Sequence, residues 1–415
     1  QAEDGIRDLV RSRGLGDVYK RQINYSTGSS RGKFIQIRGI GERSEFTEPV
    51  NYSVGVIIDG IDFTGIALGA STFDVKQIEV LRGPQGTLYG SNALAGLINI
   101  VSNDPAEDFY SELSGSVSEF GGRDLSAIVS GSNNQGYGYR FGLKNSQSDG
   151  YINNIYLNKD NTNNIDETIA RGKLTKESNN LDLTLNIFYA DIDNGYDAFS
   201  LDNTRTTYSD EPGHDRQKTS AASIRLEKKL KNNNTLELLL SYADSKLGYA
   251  YDEDWSNKGI CINTACDSSI FGFDWWYSSY DSFNRDNKNH SIDLRFISNS
   301  NNFPWVVGIY SRDQDISLIR RYTYLENDFK SSFDTRNSAI YGQFENKITN
   351  SLKFQAGLRF EDRKADYIDN NGPAPEGFFC IAIYPKPESC LFNNEYSKSE
   401  NFWGGKISLQ KQIDE

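Results

Sequence analysis

The chain has 415 residues, of which 37% are hydrophobic and 13% aromatic, and a formal net charge of −13. It contains no apolar run of about eighteen residues or more, which excludes a helical membrane protein. The acidic balance argues against nucleic-acid binding, which needs a basic surface to neutralise phosphates.

The 24 Tyr and 23 Phe, with Asn, Ser, Asp and Gly crowded between apolar runs, lean toward strands. There is no Met, so the expectation is a chain lacking its translation start. Residues 1–22 are rich in Arg and Asp and show no strand or helix period. They are read as a non-native leader and set aside from the fold.

Residues 23–106 are expected to form a small α+β unit, incomplete at its start. Phe34-Ile-Gln-Ile-Arg38 reads as a short strand stopped by Gly39 and Gly41. A second strand covers Ser53 to Ile58, with Val54, Val56 and Ile58 on one face. Asp59-Gly60 supplies its turn, because Gly tolerates the positive φ of a tight reversal. Residues 76–103 then read as a strand (Ile78 to Leu81), a glycine-rich turn, a small-residue helical segment and a strand (Leu97 to Ser102). Gly83, Gly86 and Gly90 permit the sharp turn, and Ala93, Ala95 and Gly96 permit close packing. The stretch is not a phosphate loop, since no lysine follows its glycines.

From Tyr110 onward the pattern is alternation. Tyr137, Tyr139, Phe141 and Leu143 share one face; Leu181, Leu183, Leu185, Ile187 and Tyr189 another; Leu352, Phe354, Ala356, Leu358 and Phe360 a third. Period-2 matching marks further strands near 112–119, 125–131, 168–176, 220–230, 235–244, 290–298, 305–318, 338–348 and 403–411, about twelve in all. Short polar turns such as 231–234 and 298–301 alternate with long aromatic-rich intervals at 245–285 and 362–400. That asymmetry matches an outer-membrane β-barrel. The strands run long, and their second face carries ionised groups (Arg140, Lys144, Glu345, Lys353, Arg359, Glu361), which suits a wet lumen. Alternation by itself also leaves a soluble all-β binding protein open.

The four cysteines fall in two local pairs, Cys261 with Cys266 and Cys380 with Cys390. Their even count and loop setting suit two disulfides in an oxidising compartment, with four reduced thiols as the other reading. No zinc spacing is present, and His214 and His290 fit no motif. No nucleophile elbow or clustered acid/base pair points to an enzyme, and no cofactor is expected.

Three ordered motifs carry a resemblance: Gln36-Ile-Arg-Gly39, Val54-Gly-Val-Ile-Ile-Asp-Gly60 and Ile78 to Val101. Together they resemble the plug domain of TonB-dependent outer-membrane receptors. The resemblance implies a mainly β protein of the Gram-negative outer membrane, with a small plug inside a transmembrane antiparallel barrel of about twenty-two strands. Residues 107–415 would then be a partial barrel, truncated at its C-terminus and unable to close or insert alone. The plug-motif residues are Arg38, Gly39, Asp59, Gly60, Glu79, Arg82, Gly83, Gly86, Tyr89, Gly90 and Asn99. Arg82 would face acidic groups of the barrel wall.

The family implies further partners: an extracellular small-molecule ligand, outer-membrane lipid, and the TonB–ExbB–ExbD complex acting through a TonB box that is not visible here. An iron–siderophore complex is the expected cargo, with glycans and cobalamin as alternatives. Trp255, Trp275, Trp276 and Tyr277 form an aromatic concentration suited to stacking on a ligand ring. Lipid-interface or ordinary loop packing is the competing reading of those rings.

Overall fold

A computed structural model describes residues 23–26, 31, 34–44, 47–49, 51–66, 72–83, 95–201, 203–257, 259–260, 278–298, 300, 303–349, 351–372 and 392–411. Within the first unit, β1 (Ile23–Ser26) pairs antiparallel with β2 (Phe34–Ile37). A four-stranded sheet is built from β3 (Val54–Ile58), β4 (Ile61–Asp62), β5 (Val75–Arg82) and β6 (Gly96–Ser102) in the order β4-β3-β6-β5. Strands β3 and β6 are parallel, and the other two pairings are antiparallel. The expected Asp59-Gly60 reversal joins β3 to β4, with φ of 49° and 82°. These two positive values in a two-residue loop suit the right-handed twist of a hairpin.

The rest of the chain is a single antiparallel sheet of twelve strands. They are β7 (Tyr110–Val117), β8 (Arg123–Ser132), β9 (Tyr137–Ser148), β11 (Ile165–Lys176), β12 (Leu181–Tyr196), β14 (Gly213–Lys229), β15 (Asn234–Asp252), β16 (Tyr280–Ser298), β17 (Trp305–Tyr322), β18 (Phe329–Thr349), β19 (Leu352–Gly372) and β20 (Phe392–Lys411). Each pairs with its neighbour in sequence. A short parallel ladder of β10 (Asn153–Asn154) and β13 (Thr206–Thr207) ties two of the long connections together.

Every strand expected from alternation is present, and most expected boundaries stop short, although β7 ends at Val117, two residues before its expected limit. The intervals 245–285 and 362–400 are not wholly loops: β15 continues to Asp252, β16 starts at Tyr280, β19 continues to Gly372 and β20 starts at Phe392. The cause is chemical. Near the short turns the outward side chains are apolar, such as Leu236, Leu238 and Leu240 on β15. Toward the long connections they become Lys218, Lys246, Lys288, Arg336 and Lys364. Backbone pairing carries on where the hydrophobic period ends. Strands of 21 residues, as in β18 and β19, exceed the roughly 9–11 that a tilted membrane crossing needs.

The first unit sits against the opposite face. Its core residues Val56, Ile58, Ile61, Phe63 and Ile66 form one buried cluster with Ile169, Phe188, Ala190, Ile192, Ala221 and Ala243 of β11 to β15. It also reaches β9 through Asp74 and β19 through Asn51. Laid flat, β9 to β19 would span roughly 38 Å at about 4.8 Å per strand. A unit of some eighty residues, with a radius of gyration of about 12 Å, touches both ends only if the sheet curls around it. The small unit is therefore a plug inside a curved wall.

Gly60 is the closest point of this fit. A Cβ there would lie 3.0 Å from both Cδ atoms of Leu239 on the wall, on a backbone with φ +82°. Gly60→Ala is expected to cost about 1–2 kcal/mol from the left-handed conformation alone, with crowding added. Hydrogen exchange of β3 and β4 amides measures it; protection equal to wild type would mean that Leu239 yields freely.

Candidate functional site

Two regions carry the chemistry: the seam between plug and wall, and the wall's inner face above the plug. On the seam, Arg31 lies against β14. Its Nη2 and Nε donate to the two carboxylate oxygens of Asp215 at 2.6 and 3.1 Å, and its Nη1 donates to Gln217 Oε1 at 2.7 Å. The pair is buried, with side-chain exposures of 5% and 0%. On the far side, Arg140 of β9 grips Asp74 through Nε and Nη2 at 2.6 to 2.9 Å. Arg312 of β17 reaches Asp62 at 3.0 Å, and Ser223 of β14 donates to the Asp59 carbonyl at 2.7 Å. Such two-pronged guanidinium–carboxylate pairs fix orientation as well as distance.

The link from plug to wall is pinned too. Lys173 of β11 donates to the Ser102 carbonyl at 2.8 Å and to Asp104 at 3.2 Å, while Lys76 holds Asp104 at 2.6 Å. Burial pushes the Asp104 carboxyl up, but hydrogen bonds and charge from Lys76 and Lys173 outweigh it and hold the group below the usual carboxylate range.

Above the plug, toward the long connections, the inner face becomes aromatic. Tyr249 meets Tyr196 at 5.7 Å, Tyr251 at 5.6 Å and Phe283 at 6.1 Å between ring centroids. Trp255 stacks on Phe199 at 4.7 Å with an interplanar angle of 5°. Arg320 lies over both Phe283 and Tyr322 while its Nε and Nη2 hold the buried Asp281 at 3.0 and 2.8 Å. Behind this collar burial pushes the Asp254 carboxyl up, and the Ser279 N–H donates to it at 2.7 Å. Between collar and plug, a cleft is lined by Thr47, Glu48, Tyr52, Arg285, Ile316 and Phe333. Flat rings with one guanidinium can grip a rigid, partly aromatic ligand by stacking.

The plug-motif residues divide. Arg38 and Gly39 form a tight turn with φ of 58° and 78°, closed by reciprocal bonds between Ile37 and Ile40. Asp59 accepts from the Ser102 N–H at 2.9 Å and from its hydroxyl at 3.1 Å, tying the hairpin to β6. Glu79 and Asn99 face each other across β5 and β6, bonded at 2.9 Å. The Gly83 N–H donates to the Ala95 carbonyl at 2.9 Å.

Arg82 is not brought together with the twelve described wall strands. It is exposed on β5, and no ion pair joins it to the wall among the described residues. The strand burying its neighbours against the wall is β4, on the other edge of the plug sheet. Arg31, Asp62 and Asp74 make the ion pairs instead. Gly86, Tyr89, Gly90, Trp275, Trp276, Tyr277 and all four cysteines lie outside the described residues.

The seam was only half visible in the sequence. Arg140 and Arg359 stand out as charges on an otherwise alternating face. The carboxylate that Arg140 meets does not stand out, because Asp74 lies 66 positions away, and neither does the Arg31–Asp215 pair, 184 positions apart.

Comparison with known proteins agrees with this architecture. Residues 6–97 match the family model described as the TonB-dependent Receptor Plug Domain. The pesticin receptor of Yersinia pestis is 37% identical over 84 residues, which cover 20% of this chain and 12% of that protein. The vitamin B12 transporter BtuB of Vibrio vulnificus is 30% identical over 97 residues, covering 22% and 15%. The ferric yersiniabactin uptake receptor FyuA of Yersinia pestis superposes with a TM-score of 0.73, covering 95% of this chain and 58% of that one. At 18% identity that likeness is one of fold, and this chain spans a little over half the length of the solved structure.

Proposed function

We propose that this chain, which belongs to the TonB-dependent receptors of the Gram-negative outer membrane, serves energy-coupled uptake of a scarce ligand, most specifically an iron–siderophore complex. The observation that carries the reading is a plug joined to the inner wall by polar contacts from several of its strands. Arg31–Asp215, Asp74–Arg140 and Asp62–Arg312 each join plug to wall. A plug packed on the inner face of a curved wall, with an aromatic collar on one side of it, suits capture first and passage later. Displacement of the plug then needs work, which the family draws from the TonB–ExbB–ExbD complex.

The collar supports the cargo assignment. Its stacked rings favour a ligand with flat aromatic groups, as catecholate and phenolate iron chelators carry. FyuA, a fold neighbour, is a ferric yersiniabactin uptake receptor. A vitamin B12 cargo is the second reading, favoured by the sequence likeness to BtuB.

Iron uptake by cells carrying the whole receptor provides the test. Radiolabelled ferric siderophore should accumulate only with a working TonB and a proton-motive force. Accumulation that persists without TonB, or that requires cyanocobalamin instead of iron, would overturn the assignment. Trp255→Ala should weaken cargo binding about tenfold or more, the scale of a central aromatic anchor. Equilibrium binding to intact cells reads this directly; unchanged affinity would reduce the ring to loop packing against Phe199.

A further inference from the structure

The inner wall of β17, β18 and β19 carries an arginine cluster that plug seating does not use up. Arg312 and Arg363 flank Asn337 in one cross-strand row. Arg359 lies on the same inward face, with its guanidinium 5.2 Å from the Tyr310 ring centroid and 5.6 Å from that of Tyr341. Arg312 and Arg359 are both in electrostatic reach of Tyr310, and Arg312 of Arg363.

The acids around the cluster are already engaged. Glu361 accepts from Arg359 Nε at 2.7 Å and from Asn337 at 3.1 Å. Glu400, opposite Arg363, is held by Lys398 at 2.6 Å. The plug supplies Asp62 to Arg312 at 3.0 Å and the Asn51 side-chain oxygen to Arg363 at 3.1 Å. Donors remain after these contacts. Arg312 Nε, Arg359 Nη1 and Nη2, and Arg363 Nε are buried and meet no acceptor among the described residues. Arg359 is 4% exposed and Arg312 is 7% exposed.

Buried guanidinium N–H groups without acceptors are costly, and the planar fork of Arg359 matches an oxyanion. Two tyrosine rings hold that fork in place, so little ordering is needed when an anion arrives. We propose that Arg359, with Arg312 and Arg363, forms an oxyanion-binding site on the wall behind the plug, taking a carboxylate or phosphate group. Asp62 acts as the plug's own competitor there, because its carboxylate occupies Arg312 while the plug is seated. An anionic group moving between plug and wall exchanges with Asp62, which keeps Arg312 from being left bare. The proposal concerns the wall and stands whichever cargo the collar takes.

Titration calorimetry on the whole receptor in detergent tests it, with citrate and inorganic pyrophosphate as probes. Either anion should bind, and Arg359→Gln should weaken binding about tenfold or more. Arg359→Lys keeps the charge but loses the fork; it should also weaken binding, and it serves if the glutamine variant fails to fold. Asp62→Asn should tighten binding, the opposite sign to a general loss of structure. Arg216→Gln, at an exposed pair with Asp193 on the outer face, should change nothing. Absence of binding by both anions, or equal binding by wild type and Arg359→Gln, would overturn the site.

Discussion

Phe63→Ala is expected to destabilise plug seating by about 3–5 kcal/mol, the range for removing a large buried aromatic. Phe63 is 0% exposed and sits at the centre of the cluster that joins plug to wall. Its ring meets Phe188 of β12 edge-on, 5.4 Å between centroids and 70° between planes. Truncation leaves a hole that neither surface can close, because the hairpin is fixed by Asp59 and Gly60 on one side and the wall by its own ladder on the other. The barrel strands should keep their pairing, while amides of β3 and β6 exchange faster. Phe188→Ala removes the same contact from the other partner, so the double variant should cost less than the two single costs added. Unchanged exchange in β3 and β6 would show that the apolar seam does not hold the plug.

Arg31→Ala is expected to be comparably severe, about 3–5 kcal/mol, because it strands the Asp215 carboxylate. That carboxylate is 0% exposed and takes two hydrogen bonds from the guanidinium. The cost is mostly that of a buried charge deprived of its guanidinium, and this separates it from the Phe63 effect. Arg31→Met combined with Asp215→Leu removes both charges and should recover much of the loss. Thermal unfolding and plug hydrogen exchange of the single and double variants measure the difference. A double variant as damaged as Arg31→Ala would mean that shape at this position matters more than charge.

The two seams suit different parts of one task. The apolar seam along β11 to β15 gives the plug a fixed seat. The ion pairs to β9, β14 and β17 fix its orientation, and the buried Arg31–Asp215 pair among them is costly to break.

The fold was legible from alternation because the wall has two unlike faces. Leu181 to Tyr189 read as a strand since each second side chain leaves water, and β12 is where they were expected. The same signal stopped early at the upper ends. Residues 245–252 pair as regularly as 235–244, yet their outward positions include Lys246. The plug was legible from its turns: Arg38-Gly39 and Asp59-Gly60 both take positive φ, which few residue pairs tolerate. Arg82, at a strand end with a glycine after it, is exposed on β5, an edge of the plug sheet, and forms no ion pair with the twelve described wall strands.

By itself, the sequence determined the alternating strands, about twelve of them, the small unit ahead of them and the positions of the tight turns. All of these follow from local periodicity and backbone preference, which a chain expresses within ten or so residues. Only the tertiary structure decided which charges meet. Arg31 finds Asp215, Asp74 finds Arg140, and Arg359 settles between Tyr310 and Tyr341. Those pairings depend on how far the sheet curls and which edge of the plug lies against it, and no local pattern encodes either.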